Sequence, residues 1–522
     1  MYDTNFLAQH LRAASLGRDN STFIRLHETD NTISFQDFFQ NAERIASVLI
    51  NSGIQPGDRV AVQVEKSVSA LELYMGTVLA GSIFLPLNPA YTPAEIEYFL
   101  RDARPALFVC DPSKIEMLTT VAKTCGVTHV WTLTDENTGS LVEARNSESS
   151  GFRGIERGPN DLAAILYTSG TTGASKGVST THSHSFCYAD GAAEIFYLSE
   201  EDRFYTAGLP LFHLAGQWAV CYASMIYGAT VVLRKGYRND NFWPDIAEHS
   251  CTVVFLLGAI ANFLWQQPRL PQDSKTPLKK VGMFPVMTEY KQFRERFGVE
   301  ISTGYGSTES PCPVIHHFDE PLPNHQCVGF PTGRYDVKIL DENDQVCATG
   351  IVGEICTRPR APWEIMLNYW RQPEYTAQVF RNLWYHTGDA GYQDDEGRLY
   401  FVDRLTDSMR RRGENISSME VEDEVNQYPD VFECAVFPVW AEHSEQEVMA
   451  VITPQPGVTI EPENLIQFLD QRMAYFMIPR YIEFTEAIPK TPTGKMEKYK
   501  LRAKGITPRT WDRVAAGITL SR

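Results

Sequence analysis

The chain has 522 residues, too many for one hydrophobic core, so two or more domains are expected. It is 43% hydrophobic and 21% charged, an ordinary globular balance, and no apolar run approaches the ~20 residues that span a bilayer. The net charge of −18 argues against a nucleic-acid partner, so an anionic substrate has to be held by local cations and N–H groups. The ten cysteines are scattered, with no C-x-x-C pair, and read as reduced, mostly buried thiols rather than a disulfide frame or a zinc site. The opening residues, MYDTNFLAQHLRAASLGRDN, lack the apolar centre of a signal peptide and read as a short amphipathic helix. The expected location is the cytoplasm.

In chain order, Ile33 to Gly53 has helical periodicity behind a Ser34 cap. Pro56-Gly-Asp58 is a turn, and Arg59 to Val64 a strand. Ser67 to Ala80 is helical and Gly81 to Leu87 a strand. Thr92-Pro-Ala-Glu95 opens a helix with threonine at the cap, proline first and glutamate third. Ala106 to Cys110 is another strand. This alternation predicts a parallel sheet covered by helices.

The apolar run Leu162 to Leu166 reads as a buried strand, and His182 to Leu198 as a helix. Between them lies YTSGTTGASKGV, residues 167–178, with three glycines (Gly170, Gly173, Gly177), five aliphatic hydroxyls (Thr168, Ser169, Thr171, Thr172, Ser175) and one cation, Lys176. Glycines let backbone N–H groups converge on an anion, hydroxyls donate to phosphate oxygens, and a lysine is a point charge for the outer phosphates. The stretch reads as a polyphosphate cradle. It is not a Walker loop, because Lys176 is preceded by Ser175 and followed by Gly177.

Further on come Leu209-Pro-Leu-Phe-His213, strands at Gly228 to Leu233 and Thr252 to Leu256, and a strand at Val299 to Thr303 that runs into Gly304-Tyr-Gly-Ser-Thr-Glu309. There, glycines beside Tyr305 let a flat base stack on the ring, Thr308 offers a hydroxyl, and Glu309 is a hard oxygen ligand suited to Mg²⁺. Asp389, in Trp384-Tyr-His-Thr-Gly-Asp389, is a bidentate acceptor for two ribose hydroxyls. After Tyr400-Phe-Val-Asp-Arg404 the composition turns polar, as in a linker before a small α+β domain. Arg410, Arg411 and Arg412 fit either a solvated cluster or a contact with a phosphate group. Strands are expected at Val431 to Phe437 and Val448 to Thr453, and a helix at Glu463 to Met473. Pro489-Lys-Thr-Pro-Thr-Gly-Lys495 is a stiff turn presenting Lys495.

These motifs, in this order over roughly residues 30 to 500, resemble the adenylate-forming superfamily of acyl-CoA synthetases, luciferases and peptide-synthetase adenylation domains. The resemblance implies a large α/β N-terminal domain, residues 1–404, of subdomains with mostly parallel sheets. A small mobile C-terminal α+β domain, residues 405–522, would follow a hinge near 404–408. It implies an ATP-dependent acid–CoA ligase using ATP, Mg²⁺ and CoA, with a stand-alone enzyme loading a carrier protein as the alternative. A small-molecule acid is the remaining partner, and a homodimer stays open. It also implies residue roles. Thr168, Ser169, Gly170, Thr171, Thr172, Gly173 and Lys176 hold phosphates. Tyr305 stacks on the adenine, Gly306 and Ser307 belong to the same nucleotide site, Thr308 meets the α-phosphate and Glu309 binds Mg²⁺. Asp389 and Arg404 hold the ribose and α-phosphate. Phe212 and His213 flank the acyl and pantetheine tunnel, with Gly413 beside it. Lys495 contacts the reacting carboxylate, and is withdrawn by rotation of the small domain before thioester formation. Thr406 stands where relatives carry aspartate or lysine at the hinge.

For the acid the signals diverge. Residues 55 to 115 resemble malonyl-CoA synthetases, whereas the ending GITPRTWDRVAAGI resembles carnitine- and crotonobetaine-CoA ligases. Malonyl-CoA synthetases hold the distal carboxylate with an arginine; the aligned residue here is Phe263, which leaves that charge unpaired. A Gly-Gly-Ala-Pro run that lines the pocket in relatives is replaced by Gly282-Met-Phe-Pro285, and Trp218 is close in sequence to His213. The expected acid is small to medium, apolar or cationic and betaine-like, not malonate.

Overall fold

A computed structural model describes residues 4–168, 175–405, 407, 409–411, 414–440, 446–491 and 496–520. The chain divides into two compact units, the first formed by residues up to 168 with 175–336 and 357–384, the second by 337–356 and everything after 384. Among the described residues no helix is long and apolar enough to cross a membrane. None of the ten cysteines forms a disulfide, and all but Cys125 and Cys347 are buried.

The first unit is built on two sheets. In one, the strands Glu300–Tyr305, Lys280–Phe284, Val253–Leu257, Arg203–Tyr205, Thr230–Leu233 and Thr22–Leu26 lie side by side and parallel. Antiparallel strands extend it at both ends, Val314–His316 beside Glu300–Tyr305 and Thr32–Ser34 beside Thr22–Leu26. In the other, Leu162–Thr168, Ile83–Pro86, Arg59–Gln63, Leu107–Cys110 and His129–Thr132 are parallel neighbours. The parallel strands are buried on both faces, so they read as unbroken apolar runs: Val60, Val62, Phe84, Leu107 and Val109 are all fully buried. The capping signals place the helices as expected. Ser34 and Ser67 accept from Asp37 and Ala70 N–H, and Thr92 and Glu95 form a reciprocal capping box.

The structure corrects the reading on one point next to the glycine-rich loop. Lys176–Thr181 is a strand, not loop, and pairs antiparallel with Leu162–Thr168, so Thr168 faces Lys176 across a hairpin. No alternation marks it, because Val178, Ser179, Thr180 and Thr181 are all buried. A two-residue strand, Asn368–Tyr369, adds to its other edge. The helix His182–Ile195 then starts where predicted, with Thr181 Oγ1 accepting from His184 N–H at 3.1 Å.

In the second unit, Trp384–Gln393 and Leu399–Arg404 form an antiparallel pair. Beyond them Val431–Trp440, Gln446–Pro454, Tyr481–Phe484 and Trp511–Asp512 make a four-stranded mixed sheet. The helices Ser418–Asn426 and Pro462–Asp470 cover it through Val421, Val425, Leu465 and Leu469, against Val436, Ala450, Ile452 and Ile482. Each such buried aliphatic side chain stabilises the unit by about 1.5–3 kcal/mol. The mixed α/β class with a smaller C-terminal α+β unit agrees with the expectation.

Candidate active site

The parallel strands of the larger sheet end at Tyr205, Leu257, Phe284 and Tyr305, the edge where open α/β sheets take ligands. The acidic turn follows Tyr305. Ser307 Oγ accepts from the N–H groups of Glu309 and Ser310, both at 3.2 Å, and Ser307 N–H donates to Ser310 O at 3.0 Å. Gly306 is required by close approach, since a Cβ there would lie 2.8 Å from Cys312 N and 3.2 Å from Ser310 O. Tyr305 is buried while Thr308 and Glu309 are half-buried, so hydroxyl and carboxylate are presented from a rigid turn.

Glu309 is held from a second direction. Its carbonyl accepts from Met366 N–H at 2.8 Å, and Tyr369 Oη donates to Glu309 Oε1 at 2.9 Å. The Tyr369 ring lies 5.0 Å from that of Tyr375, over which the Lys176 ammonium sits at 4.2 Å from the centroid. One short array therefore links the lysine after the glycine-rich loop to the acidic turn. Neither tyrosine was predicted as functional. The stretch NYWRQPEY carries no spacing that singles them out, and their partners are remote in the chain.

Behind the turn lies His184, fully buried, with burial pushing its pKa down to about 4 while backbone groups of Ile365 and Thr308 draw it up. His182 is likewise pushed down to about 4 by burial, and its Nδ1 accepts from Leu7 N–H at 3.3 Å.

His213 and Phe212 are half-buried at the end of the loop after Arg203–Tyr205, and Ala215 N–H donates to His213 Nδ1 at 3.2 Å. The chain then enters a π-helix, Ala215–Tyr222, in which Trp218 is fully buried against Tyr188, Tyr222 and His184. Met283 and Phe284 both belong to the run that replaces the pocket-lining Gly-Gly-Ala-Pro of relatives. Strand alternation sends them to opposite faces: Met283 is fully buried in the core with Leu256 and Val281, while half-buried Phe284 stacks on Phe255 at 4.5 Å. Only one of them can wall a given cavity.

In the second unit Asp389 and Arg404 are register partners, with Arg404 Nε 3.5 Å from Asp389 Oδ1. Asp389 is buried and Arg404 exposed. Glu354 braces the turn before Asp389: Oε1 accepts from Gly388 N–H at 3.0 Å, and Oε2 lies 2.7 Å from His386 Nδ1. Gly388 has φ of +75°, a conformation that favours glycine. Ser169, Gly170, Thr171, Thr172, Gly173, Thr406, Gly413 and Lys495 lie outside the described residues.

The donor set suits a magnesium ion. Glu309 supplies a hard carboxylate and Thr308 a hydroxyl; among the described residues only Tyr369 hydrogen-bonds to that carboxylate, and it engages Oε1.

Known proteins match this chain over most of its length. The AMP-binding enzyme family matches residues 12–370, and its C-terminal domain family matches residues 420–495. The crotonobetaine/carnitine–CoA ligase of Shigella dysenteriae serotype 1 is 28% identical over 484 residues, covering 90% of this chain and 93% of the relative. ATP-bound MatB from Rhodopseudomonas palustris superposes with a TM-score of 0.88 at 31% identity, covering 96% of this chain and 99% of that one. A benzoate CoA ligase from Burkholderia xenovorans shares the fold, with a TM-score of 0.83 at 22% identity over 95% of this chain and 99% of the other. With matches over most of its length on both sides of residue 404, this chain belongs to the AMP-binding enzyme family.

Proposed function

We propose that the protein is a cytoplasmic acid–CoA ligase for a small to medium acid, apolar or betaine-like and not malonate. The ligase chemistry is that of the family: carboxylate and ATP give an acyl-adenylate and diphosphate, and CoA then gives the thioester and AMP. The observation that carries the choice of acid is Phe263, half-buried in the helix Gly258–Gln266 where a second carboxylate would need a cation. The relatives named for crotonobetaine and carnitine favour a cationic acid, for which aromatic faces are suitable partners.

Both reactants of the first step are anions, so positive charge has to stand where negative charge accumulates. In this reading Lys176 and the glycine-rich loop take the outer phosphates, and Thr308 donates to the α-phosphate. Mg²⁺, when bound, neutralises charge on the phosphate oxygens, and Glu309 would hold it. Asp389 accepts from the ribose hydroxyls and Arg404 donates beside it. Lys495, in a small mobile domain from residue 405 onward, stabilises the incoming carboxylate. In the second step the CoA sulfur attacks the acyl carbon and AMP leaves with the C–O bonding pair. His213 and Phe212 border the path of the thiol, and Gly413 leaves it open.

The test is ATP–pyrophosphate exchange over short, branched, aromatic, betaine-type and dicarboxylic acids, followed by thioester formation with CoA. Exchange with apolar or betaine-type acids and none with malonate is expected. Strong malonate turnover would overturn the assignment.

A further inference from the structure

The segment Met366 to Trp370 touches both halves of the triphosphate machinery of the first unit. Along one edge it pairs with the strand that begins at Lys176. Leu367 N–H donates to Ser179 O at 2.9 Å, Trp370 N–H donates to Gly177 O at 2.6 Å, and Tyr369 stands opposite Val178. Along the other it holds the acidic turn, through Met366 N–H to Glu309 O at 2.8 Å and Tyr369 Oη to Glu309 Oε1 at 2.9 Å.

A glutamate side chain has three rotatable bonds, so a carboxylate pinned only at its backbone samples many orientations. The backbone of Glu309 is fixed by Ser307 Oγ and Met366 N–H, which leaves the carboxylate to be aimed. A phenol donor on one oxygen does that. It stops rotation of the carboxylate and directs the other oxygen, Oε2, away from Tyr369. Tyr369 is itself buried and packed on Tyr375, so its hydroxyl is not a mobile partner.

We propose that Tyr369 is a positioning residue that aims the Glu309 carboxylate at the divalent cation accompanying ATP, and that the 366–370 segment sets the spacing between that cation and Lys176. This rests on the reading of Glu309 as the metal-side residue. Hydrogen-bond partners that orient metal ligands change metal affinity by about 10–100-fold when removed.

The experiment is Tyr369→Phe, which keeps the ring and its contact with Tyr375 and deletes the hydroxyl. Mn²⁺ binding is measured by paramagnetic resonance in the presence of a non-hydrolysable ATP analogue, and AMP affinity separately by calorimetry without metal. Mn²⁺ affinity is expected to fall ~10-fold or more, while AMP affinity stays within twofold. The metal concentration that half-saturates ATP–pyrophosphate exchange should rise in parallel. In a Glu309→Gln background the tyrosine substitution should have no further effect, because the partner charge is already gone. Unchanged Mn²⁺ affinity in Tyr369→Phe, equal losses for Mn²⁺ and AMP, or full additivity with Glu309→Gln would overturn the proposal. If wild-type exchange needs no divalent cation, the Glu309 reading falls with it; if wild type needs one and the variant matches it, only the role of Tyr369 falls.

Discussion

Asp389 and Arg404 face each other across an antiparallel pair, buried carboxylate against exposed guanidinium, with 3.5 Å between Oδ1 and Nε. An acceptor and a donor are thereby held side by side by backbone register rather than by loop conformation, which suits a ribose and its phosphate. The Glu354 carboxylate fixes the turn from behind by accepting Gly388 N–H.

Asp389→Asn should raise the KM for ATP by ~10–100-fold, the loss of charged hydrogen bonds worth about 1.5–3 kcal/mol. Because the ribose is common to both nucleotides, AMP affinity should fall by the same factor. Titration calorimetry with AMP and ATP checks this; a loss for ATP alone would place Asp389 near the outer phosphates instead.

Lys495 and Gly413 should separate the half-reactions. Lys495→Ala is expected to lower acyl-adenylate formation ~100-fold or more, while thioester formation from supplied acyl-adenylate continues. Gly413→Leu should do the reverse, its side chain obstructing the thiol. Single-turnover measurements of each step decide, and equal losses in both steps for either variant contradict the two-stage scheme.

Phe263 should govern the second carboxylate. Wild-type protein is expected to favour apolar or betaine-type acids over malonate by ~100-fold or more, since an unpaired buried charge costs several kcal/mol. Phe263→Arg should bring malonate turnover into measurable range and depress turnover of the betaine-type acids by repulsion. Competition between paired acids in one reaction reads the ratio directly.

Acid stability should report His182 and His184. Burial lowers both folded pKa values to about 4, against an ordinary value near 6.5. The unfolded chain then binds more protons than the folded one between those limits, so their contribution is fully present above about pH 6.5 and is lost as pH falls towards 4. For His182 the proton would also displace the Leu7 N–H from Nδ1. Each group carries on the order of 3 kcal/mol of this dependence. Urea unfolding at pH 7 and pH 5 should show a smaller loss in His184→Asn than in wild type; identical slopes would show that His184 does not contribute.

The motifs were legible because their chemistry is local. Tyr305 to Glu309 is one turn, Asp389 follows its own glycine, and Thr168 and Lys176 flank one loop, so short windows of sequence carry each group and its glycines. Helix starts at Ser34, Ser67 and Thr92 were legible for the same reason, since a cap acts within three residues. The strand Lys176–Thr181 was not, because its hydroxyl-rich, fully covered residues show no period.

By itself, then, the amino-acid order determined the family, the kind of chemistry that goes with it and most of the elements that carry its motifs. Tertiary structure alone decided that Tyr369 meets Glu309, 60 positions away, and that Asn368 pairs with Ser179, 189 positions away. It also decided which neighbours Met283 and Phe284 meet on their two faces. The physical reason is that hydrogen-bond donors and acceptors of the backbone are the same in every residue. Which distant strand satisfies them is settled by how the sheets bury their faces, and no local pattern records the choice.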